Sequence, residues 1–465
     1  MLAINAPDPA SSQPLYRQIY LSIREKIESG EIENGTRLPP TRELAGSLGL
    51  NRTTISAAYE LLESEGFVRG HVGRGSYVSR PSSSLISFSS SRSSELLFPL
   101  AEFRATCTEV IQSEDAQTIL QLGSPSGYGP LRRYLLDQAR LEGTAGDGDD
   151  ILITSGCQQA YDLLQRVLAP NGETVLIEDP VIPGLRNVFQ RSGGRLVGIP
   201  VGPTGIDLEA LRQAVRREQP KMAVVTPNFQ NPTGATLPLA SRQALLEIVG
   251  GSGAVLVESD IYGALRYEGD PLPTLKQLDG TGGTILLRSF SKLAFPGLRV
   301  GWVIAPRAIV ERLTEAKQWS DLHTDQLSQA VLFRFAQSGR LDRHRGRMLE
   351  AGRERLRAAI AACAKHLPPG AAFTRPAGGM NLWVRLPAPL DAGELLAAAE
   401  REGVAYLPGK FFGVSKIEPG GLRISFAGLA PERIEAGIAV LGRVFRAALE
   451  RTREYSRLES VPAMV

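Results

Sequence analysis

The sequence predicts two folded parts, a small helix-turn-helix unit ending in a β-hairpin and a large α/β domain built on a mostly parallel sheet. Three observations carry this. Residues 12–80 place helical apolar spacing ahead of a glycine-punctuated hairpin. Residues 81–96 are dominated by serine, a composition that buries little apolar surface and reads as a flexible linker. From residue 97 to about 455, short Val/Ile/Leu runs alternate with helical stretches. A chain of 465 residues also exceeds what one core usually organises.

In the small part, Leu15, Ile19, Ile23 and Ile27 fall on one stripe of a helix spanning Pro14 to Ser29. Pro39-Pro40 breaks the chain, and Thr41 to Leu48 fits a short second helix closed by Gly49. Asn51 can cap a third helix over Arg52–Ser64. Two short strands, Gly66–Arg69 and Ser76–Val78, then flank a glycine-rich tip carrying Gly73 and Arg74. This arrangement suits duplex DNA. Arg52, Thr53 and Thr54 open the third helix, where side chains reach base edges in the major groove. Arg42, early on the second helix, and Arg74 on the wing can grip phosphates.

In the large part, the runs Ile151–Ile153, Thr174–Ile177, Met222–Val225, Ala254–Val257 and Thr284–Leu287 read as strands buried on both faces. The segment Arg288-Ser289-Phe290-Ser291-Lys292, followed by Phe295-Pro296-Gly297-Leu298-Arg299, carries the strongest chemical signal. A lysine closing a buried strand can form a Schiff base with an aldehyde cofactor. Ser289, Ser291 and the guanidinium of Arg299 suit its phosphate. Ser155-Gly156-Cys157-Gln158 lies between a strand and a helix, where backbone amides hold anions.

Composition excludes several classes. The net charge of +3 argues nothing about nucleic acid unless the charge is clustered. Cys107, Cys157 and Cys363 are too scattered for a disulfide framework, and the four histidines form no metal motif. The opening MLAINAPDPASS has neither a basic nor an apolar signal region, and no apolar run suits a membrane span, so a cytoplasmic protein is expected.

The stretch from Pro14-Leu15-Tyr16 through Arg37-Leu38-Pro39-Pro40-Thr41-Arg42-Glu43-Leu44-Ala45, Asn51-Arg52-Thr53-Thr54 and Gly66-Phe67-Val68 resembles the GntR-family winged helix. That resemblance implies DNA contacts from Arg42, Asn51, Arg52, Thr53, Thr54, Gly73 and Arg74. The large part resembles the fold-type I aminotransferases, with a smaller C-terminal α+β subdomain. The resemblance implies pyridoxal 5′-phosphate (PLP) held on Lys292 as an internal aldimine. It further implies a phosphate cradle from Gly156, Cys157, Gln158, Ser289, Ser291 and Arg299. Asn231, in Asn231-Pro232-Thr233-Gly234, and Tyr262 match the residues that touch the pyridine phenolic oxygen. Arg423 matches the arginine that takes a substrate carboxylate, and Tyr128 sits in the family's glycine-rich segment, so both are effector-site candidates.

Two departures stand out. Ile182 occupies the place of the aromatic residue that stacks on the pyridine ring. The family aspartate that pairs with the pyridine nitrogen lies three residues before the tyrosine, and here that position is Ser259, with Asp260 one step away. Adjacent strand residues face opposite ways, so only one can serve. The spacing favours Ser259 and leaves Asp260 open.

Together the parts resemble the MocR regulators. The resemblance implies a transcription regulator rather than an enzyme, with residual transaminase activity possible. It also implies a head-to-tail homodimer, a double-stranded DNA operator, and an effector that is PLP itself or an amine. The alternatives are a working aminotransferase carrying a DNA-binding domain and a degenerate scaffold without cofactor.

Overall fold

The computed structural model describes residues 7–8, 13–33, 35–64, 67–71, 75–78 and 85–459. Gly73 and Arg74 lie outside the described residues. The chain divides into two compact units at residue 85.

The small unit follows its sequence closely. Helices α1 (Leu15–Ser29), α2 (Thr41–Leu48) and α3 (Arg52–Ser64) precede an antiparallel hairpin of β1 (Val68–His71) and β2 (Gly75–Val78). The α1 stripe of Ile19, Ile23 and Ile27 is fully buried against Leu38, Leu44, Ile55, Ala58 and Leu62. Each such aliphatic side chain contributes about 1.5–3 kcal/mol relative to exposure. Gly49 ends α2 at φ +64°, a left-handed conformation that costs other residues strain and lets α3 start three residues later. The Asn51 side chain accepts from the Thr53 amide at 3.2 Å, capping α3.

From Ile86 on, the described part of the serine-rich stretch is fastened to the large unit, against what its composition suggests. Its strand β3 (Ile86–Ser87) pairs in parallel with β14 (Val404–Ala405), and Phe88 is fully buried in the large unit. Average composition hides two well-placed apolar residues, Ile86 and Phe88, that fasten a run of serines to a core.

The large unit is organised by an eight-stranded sheet among the described residues. Its strands are β4 (Asp149–Thr154), β5 (Thr174–Asp179), β6 (Arg195–Gly202), β7 (Gly205–Ile206), β8 (Met222–Val225), β9 (Val255–Ser259), β10 (Ile285–Ser289) and β11 (Gly301–Pro306). They lie in the order β4-β11-β10-β9-β8-β5-β6-β7. The pairs linking β10, β9, β8, β5 and β6 are parallel, and β11 runs antiparallel to both neighbours. The period of two sorts side chains between faces. Val175, Ile177, Val257 and Leu287 pack beneath the helix Cys157–Leu168, while Leu176, Leu256 and Leu286 pack on the opposite side. The smaller subdomain has strands β12 (Ala372–Phe373), β13 (Asn381–Arg385), β15 (Leu407–Pro408) and β16 (Gly421–Ser425) in the order β12-β13-β16-β15. The helices Arg340–His366 and Pro431–Glu459 cover it. No described helix is long and apolar enough to cross a membrane.

Candidate functional sites

In the small unit, the polar start of α3 stays outside the core that its apolar face builds. Asn51, Arg52 and Thr53 are exposed, Thr54 is half-buried, and Arg42 is exposed on α2. Tyr59 fixes α3 against the α2 entrance by donating to the Pro39 carbonyl at 2.9 Å. The helix start is thus offered to solvent on a rigid support.

In the large unit, the ends of β4, β9 and β10 converge. Gly156 stands at φ +78° between β4 and the helix Cys157–Leu168, and a Cβ placed on it would lie 2.3 Å from an Arg299 guanidinium nitrogen. Ser289 Oγ accepts from the Ser291 amide at 3.0 Å and donates to the Val300 carbonyl at 3.0 Å. Arg299 Nη1 reaches Ser291 Oγ at 3.4 Å. A helix N-terminus, two hydroxyls and a guanidinium therefore surround one small volume, which is an anion cradle. Cys157 lies under it. Its thiol is pushed up to about 12 by burial, which keeps it protonated and inert. Gln158 points outward, and Gln159 instead ties the loop by accepting from the Ser155 amide at 2.8 Å and donating to Asp321 at 2.7 Å.

Gly156→Ala is expected to strain the backbone and push Arg299 out of the cradle. The expected result is a PLP dissociation constant raised by about tenfold, with stability lowered by about 1 kcal/mol. A PLP titration of the variant checks it.

Beside the cradle, Lys292 Nζ lies 5.8 Å from the centre of the Tyr262 ring and donates to the Ser91 carbonyl at 2.7 Å. Asn231 Nδ2 donates to the Tyr262 hydroxyl at 2.8 Å, and Asn231 Oδ1 accepts from Arg423 Nη1 at 3.1 Å. Arg423 is buried, its second terminal nitrogen donates to the Ser89 carbonyl, and its Nε has no partner. Burial pushes this guanidinium down to about 10, so it stays charged at neutral pH. A buried cation whose only acceptors are neutral oxygens is a site awaiting an anion.

Ser259 and Asp260 point apart. Ser259 shares the Val257 face, and its hydroxyl lies 2.6 Å from the Tyr161 hydroxyl on the helix Cys157–Leu168. Ile182 packs against the same cluster. Asp260 is turned to the other side, accepting from Asn228 at 3.0 Å and Arg288 at 3.1 Å. It borders a cavity of about 530 Å³ that Arg288, Ser289, Phe290, Lys292 and Trp302 also line. Held by Asn228 and Arg288 off the Ser259 face, Asp260 is corrected as the partner of the pyridine nitrogen. No irregularity interrupts the alternation of β9, so the period of two carries it away from Ser259. The Tyr128 amide donates to Gln329 at 2.8 Å and its ring faces Phe333, both on the helix Gln326–Gln337.

Two supporting residues escaped sequence reasoning. Gln230 shapes the Asn231 turn by accepting from the Thr233 amide and hydroxyl and donating to the Pro180 carbonyl. Buried Glu178 accepts from Gln230 at 3.3 Å, and burial pushes its carboxyl up to about 8. Only their burial singles them out, and single-sequence reading does not show burial of a polar side chain. The Glu178 pKa is higher folded than unfolded. The stability tied to its proton is thus complete below about 4.5 and is lost as pH rises through about 8. Glu178→Gln is expected to flatten that decline by more than about 1 kcal/mol between pH 5 and 8 in urea titrations.

The site residues fit PLP on observations of the chain itself: an anion cradle that a methyl at Gly156 would invade, an amine beside a ring, and a buried guanidinium with an unpartnered nitrogen. Known proteins agree. Residues 93–441 match the family described as aminotransferase class I and II, and residues 15–78 match bacterial regulatory proteins of the gntR family. The chain is 35% identical to the 2-aminoadipate transaminase of Thermus thermophilus, over 78% of this chain and 91% of that protein. It is 26% identical to the probable rhizopine catabolism regulatory protein MocR of Rhizobium meliloti, over 95% of each chain. The crystal structure of Pyrococcus horikoshii kynurenine aminotransferase superposes with a TM-score of 0.76 at 32% identity, covering 79% of this chain and 92% of that one. An aminotransferase fold, a lysine beside an anion cradle and a helix-turn-helix ahead of them coexist in one chain. The chain accordingly belongs to the aminotransferase class I and II family and, through its GntR-family domain, to the PLP-dependent transcription regulators of the MocR type.

Proposed function

We propose that the large unit is a PLP-loaded receptor for an amine effector and that its state sets how the helix-turn-helix units grip an operator, with little or no transaminase turnover. The observation that carries this reading is Ser259. Where a carboxylate would hold the pyridine nitrogen protonated, the chain has a hydroxyl paired with the Tyr161 hydroxyl at 2.6 Å.

Bound PLP supplies an aldehyde that condenses with primary amines and a ring able to withdraw electrons from the product. The residues around it divide the remaining work. Ser289, Ser291, Arg299 and the amides after Gly156 hold the phosphate. Asn231 and Tyr262, joined at 2.8 Å, are placed for the phenolic oxygen. Ile182 would face the ring without π-stacking. Arg423 would receive a carboxylate if the amine has one. Ser259 and Tyr161 would offer neutral hydroxyls to the ring nitrogen, which would weaken the electron sink that proton removal at the amine carbon needs.

The second reading, a working aminotransferase, is favoured by the joint presence of Lys292, Asn231, Tyr262 and Arg423 in one pocket. Steady-state assays decide between them. A receptor shows an absorbance change on adding an amino acid but releases no keto acid over many equivalents. Sustained turnover at about 1 per second or faster would replace the receptor with an enzyme.

Two further parts complete the proposal. Leu96, Leu100, Leu120, Leu122 and Trp319 are large apolar side chains left exposed, which suits a homodimer, head-to-tail as in the relatives' resemblance. DNA binding places the protein in the cytoplasm. Arg52→Ala is expected to weaken operator binding by about 1–3 kcal/mol and relax base preference, whereas Arg42→Ala lowers affinity evenly across sequences and reduces its salt dependence. Fluorescence anisotropy on the promoter at several salt concentrations separates the two.

A further inference from the structure

Both cations of the pocket are held by one short run of backbone. Arg423 donates to the Ser89 carbonyl and Lys292 donates to the Ser91 carbonyl at 2.7 Å. These two carbonyls belong to the serine-rich stretch through which the chain enters the large unit after the small one. Just before them the stretch is anchored firmly. The Ile86 and Phe88 amides donate to Gly403 and Ala405 at 2.9 and 2.8 Å, and the Phe88 carbonyl accepts from the Ser425 amide at 3.1 Å. Phe88 itself is fully buried. Beyond Phe88 the anchoring changes character. Ser90 and Arg92 are exposed, Ser89 and Ser91 are half-buried, and the buried Ser91 hydroxyl has no partner. The run Ser89–Ser91 is therefore held over the pocket mainly by the two cations that the pocket's ligands would claim.

We propose that Ser89–Ser91 is a built-in competitor for this site, displaced in two separate stages, and that the second stage selects effectors bearing a carboxylate. This rests on the reading of the pocket as a PLP site. In the first stage, the Lys292 amine would condense with the cofactor aldehyde, forming a C=N bond and releasing the aldehyde oxygen as water, and so would give up its donation to the Ser91 carbonyl. In the second, a carboxylate takes the Arg423 guanidinium and frees the Ser89 carbonyl. A carboxylate outcompetes a peptide carbonyl because both partners of the new hydrogen bond are charged. The unpartnered Arg423 Nε gives that carboxylate a further donor. An amine that exchanges at the aldehyde returns the Lys292 amine to the Ser91 carbonyl, so without a carboxylate it leaves the run held. An α-amino acid frees the Ser89 carbonyl by taking Arg423, while the β3–β14 pairing stays. The same stretch that senses the ligand is thus covalently continuous with the DNA-binding unit.

The test uses the full-length protein and two preformed, unreactive probes, phosphopyridoxyl-ethylamine and phosphopyridoxyl-L-alanine, which differ only by the carboxylate. Binding of each is established first by fluorescence. Amide hydrogen exchange is then followed in peptides spanning 86–98. The expected result is exchange at Ser89–Ser91 about tenfold faster with the alanine probe than with the ethylamine probe, the change set by losing one charge-assisted hydrogen bond. The Phe88 amide should be unchanged in every state. In Arg423→Gln the two probes should give equal rates. Equal rates in the wild-type protein with both probes bound would overturn the two-stage competitor while leaving the PLP site intact. Failure of PLP and both probes to bind would instead remove the PLP site, and the competitor with it.

Discussion

Lys292→Ala should leave a protein that folds but no longer retains PLP. The wild-type chain mixed with PLP, reduced with borohydride and digested should yield a cofactor-modified peptide containing position 292; the variant should yield none. Its PLP dissociation constant should rise by about a hundredfold or more, because only the phosphate cradle and the Asn231–Tyr262 pair then hold the cofactor. The side chain donates to the Ser91 carbonyl, so the substitution should also loosen that stretch before any cofactor is added. Operator binding that becomes insensitive to PLP in the variant ties the site to regulation. A variant that keeps wild-type PLP affinity would show that the lysine is not the attachment point.

Ser259→Asp should convert the receptor towards an enzyme. Ser259 lies on the Val257 face, 1% exposed, with only the Tyr161 hydroxyl opposite its own. A carboxylate there would face the ring nitrogen and hold its proton. The half-reaction with an L-amino acid should then accelerate by about 10²-fold or more, the scale on which one well-placed electrostatic partner acts. Without cofactor the same carboxylate is buried and unpaired, so the variant should lose a few kcal/mol of stability, about 2 or more, and recover part of it when PLP binds. Asp260→Ser is the matching control. It removes the Arg288 pairing at 3.1 Å and should leave the half-reaction unchanged. An unaltered rate in Ser259→Asp would mean that the position does not govern the ring nitrogen, and the receptor reading would lose its main support.

Much of the site was legible in one dimension because its parts sit in short, ordered motifs. Arg288–Lys292 and Asn231–Gly234 place their functional residue at a strand end or turn, where local geometry is fixed by neighbours in sequence, and Leu422–Phe426 places Arg423 within β16. Helices α1, α2 and α3 were legible for the same reason, since proline breaks, the Asn51 cap and Gly49 act locally. The Ser259 and Asp260 alternative was open only because strand alternation needs its phase set. Val257 beneath the helix Cys157–Leu168 sets it.

The serine stretch shows where local reading ends. Nine of the fifteen residues from Pro81 to Glu95 are serine, so composition alone implies solvation. Its fate is set by residues more than 300 positions away, at Arg423 and Ala405, which supply a buried guanidinium and an unpaired strand edge.

The sequence by itself determined that this chain joins a helix-turn-helix to an aminotransferase fold, and which lysine, arginines and asparagine are the candidates for its cofactor site. The tertiary structure alone decided which of two adjacent polar residues faces that site, what supports Asn231 from behind, and that backbone carbonyls of the joining stretch occupy its cations. The reason is physical. Turns, caps and strand runs are governed by interactions a few residues long, whereas burial, facing and competition for a charge depend on what the fold brings across from elsewhere.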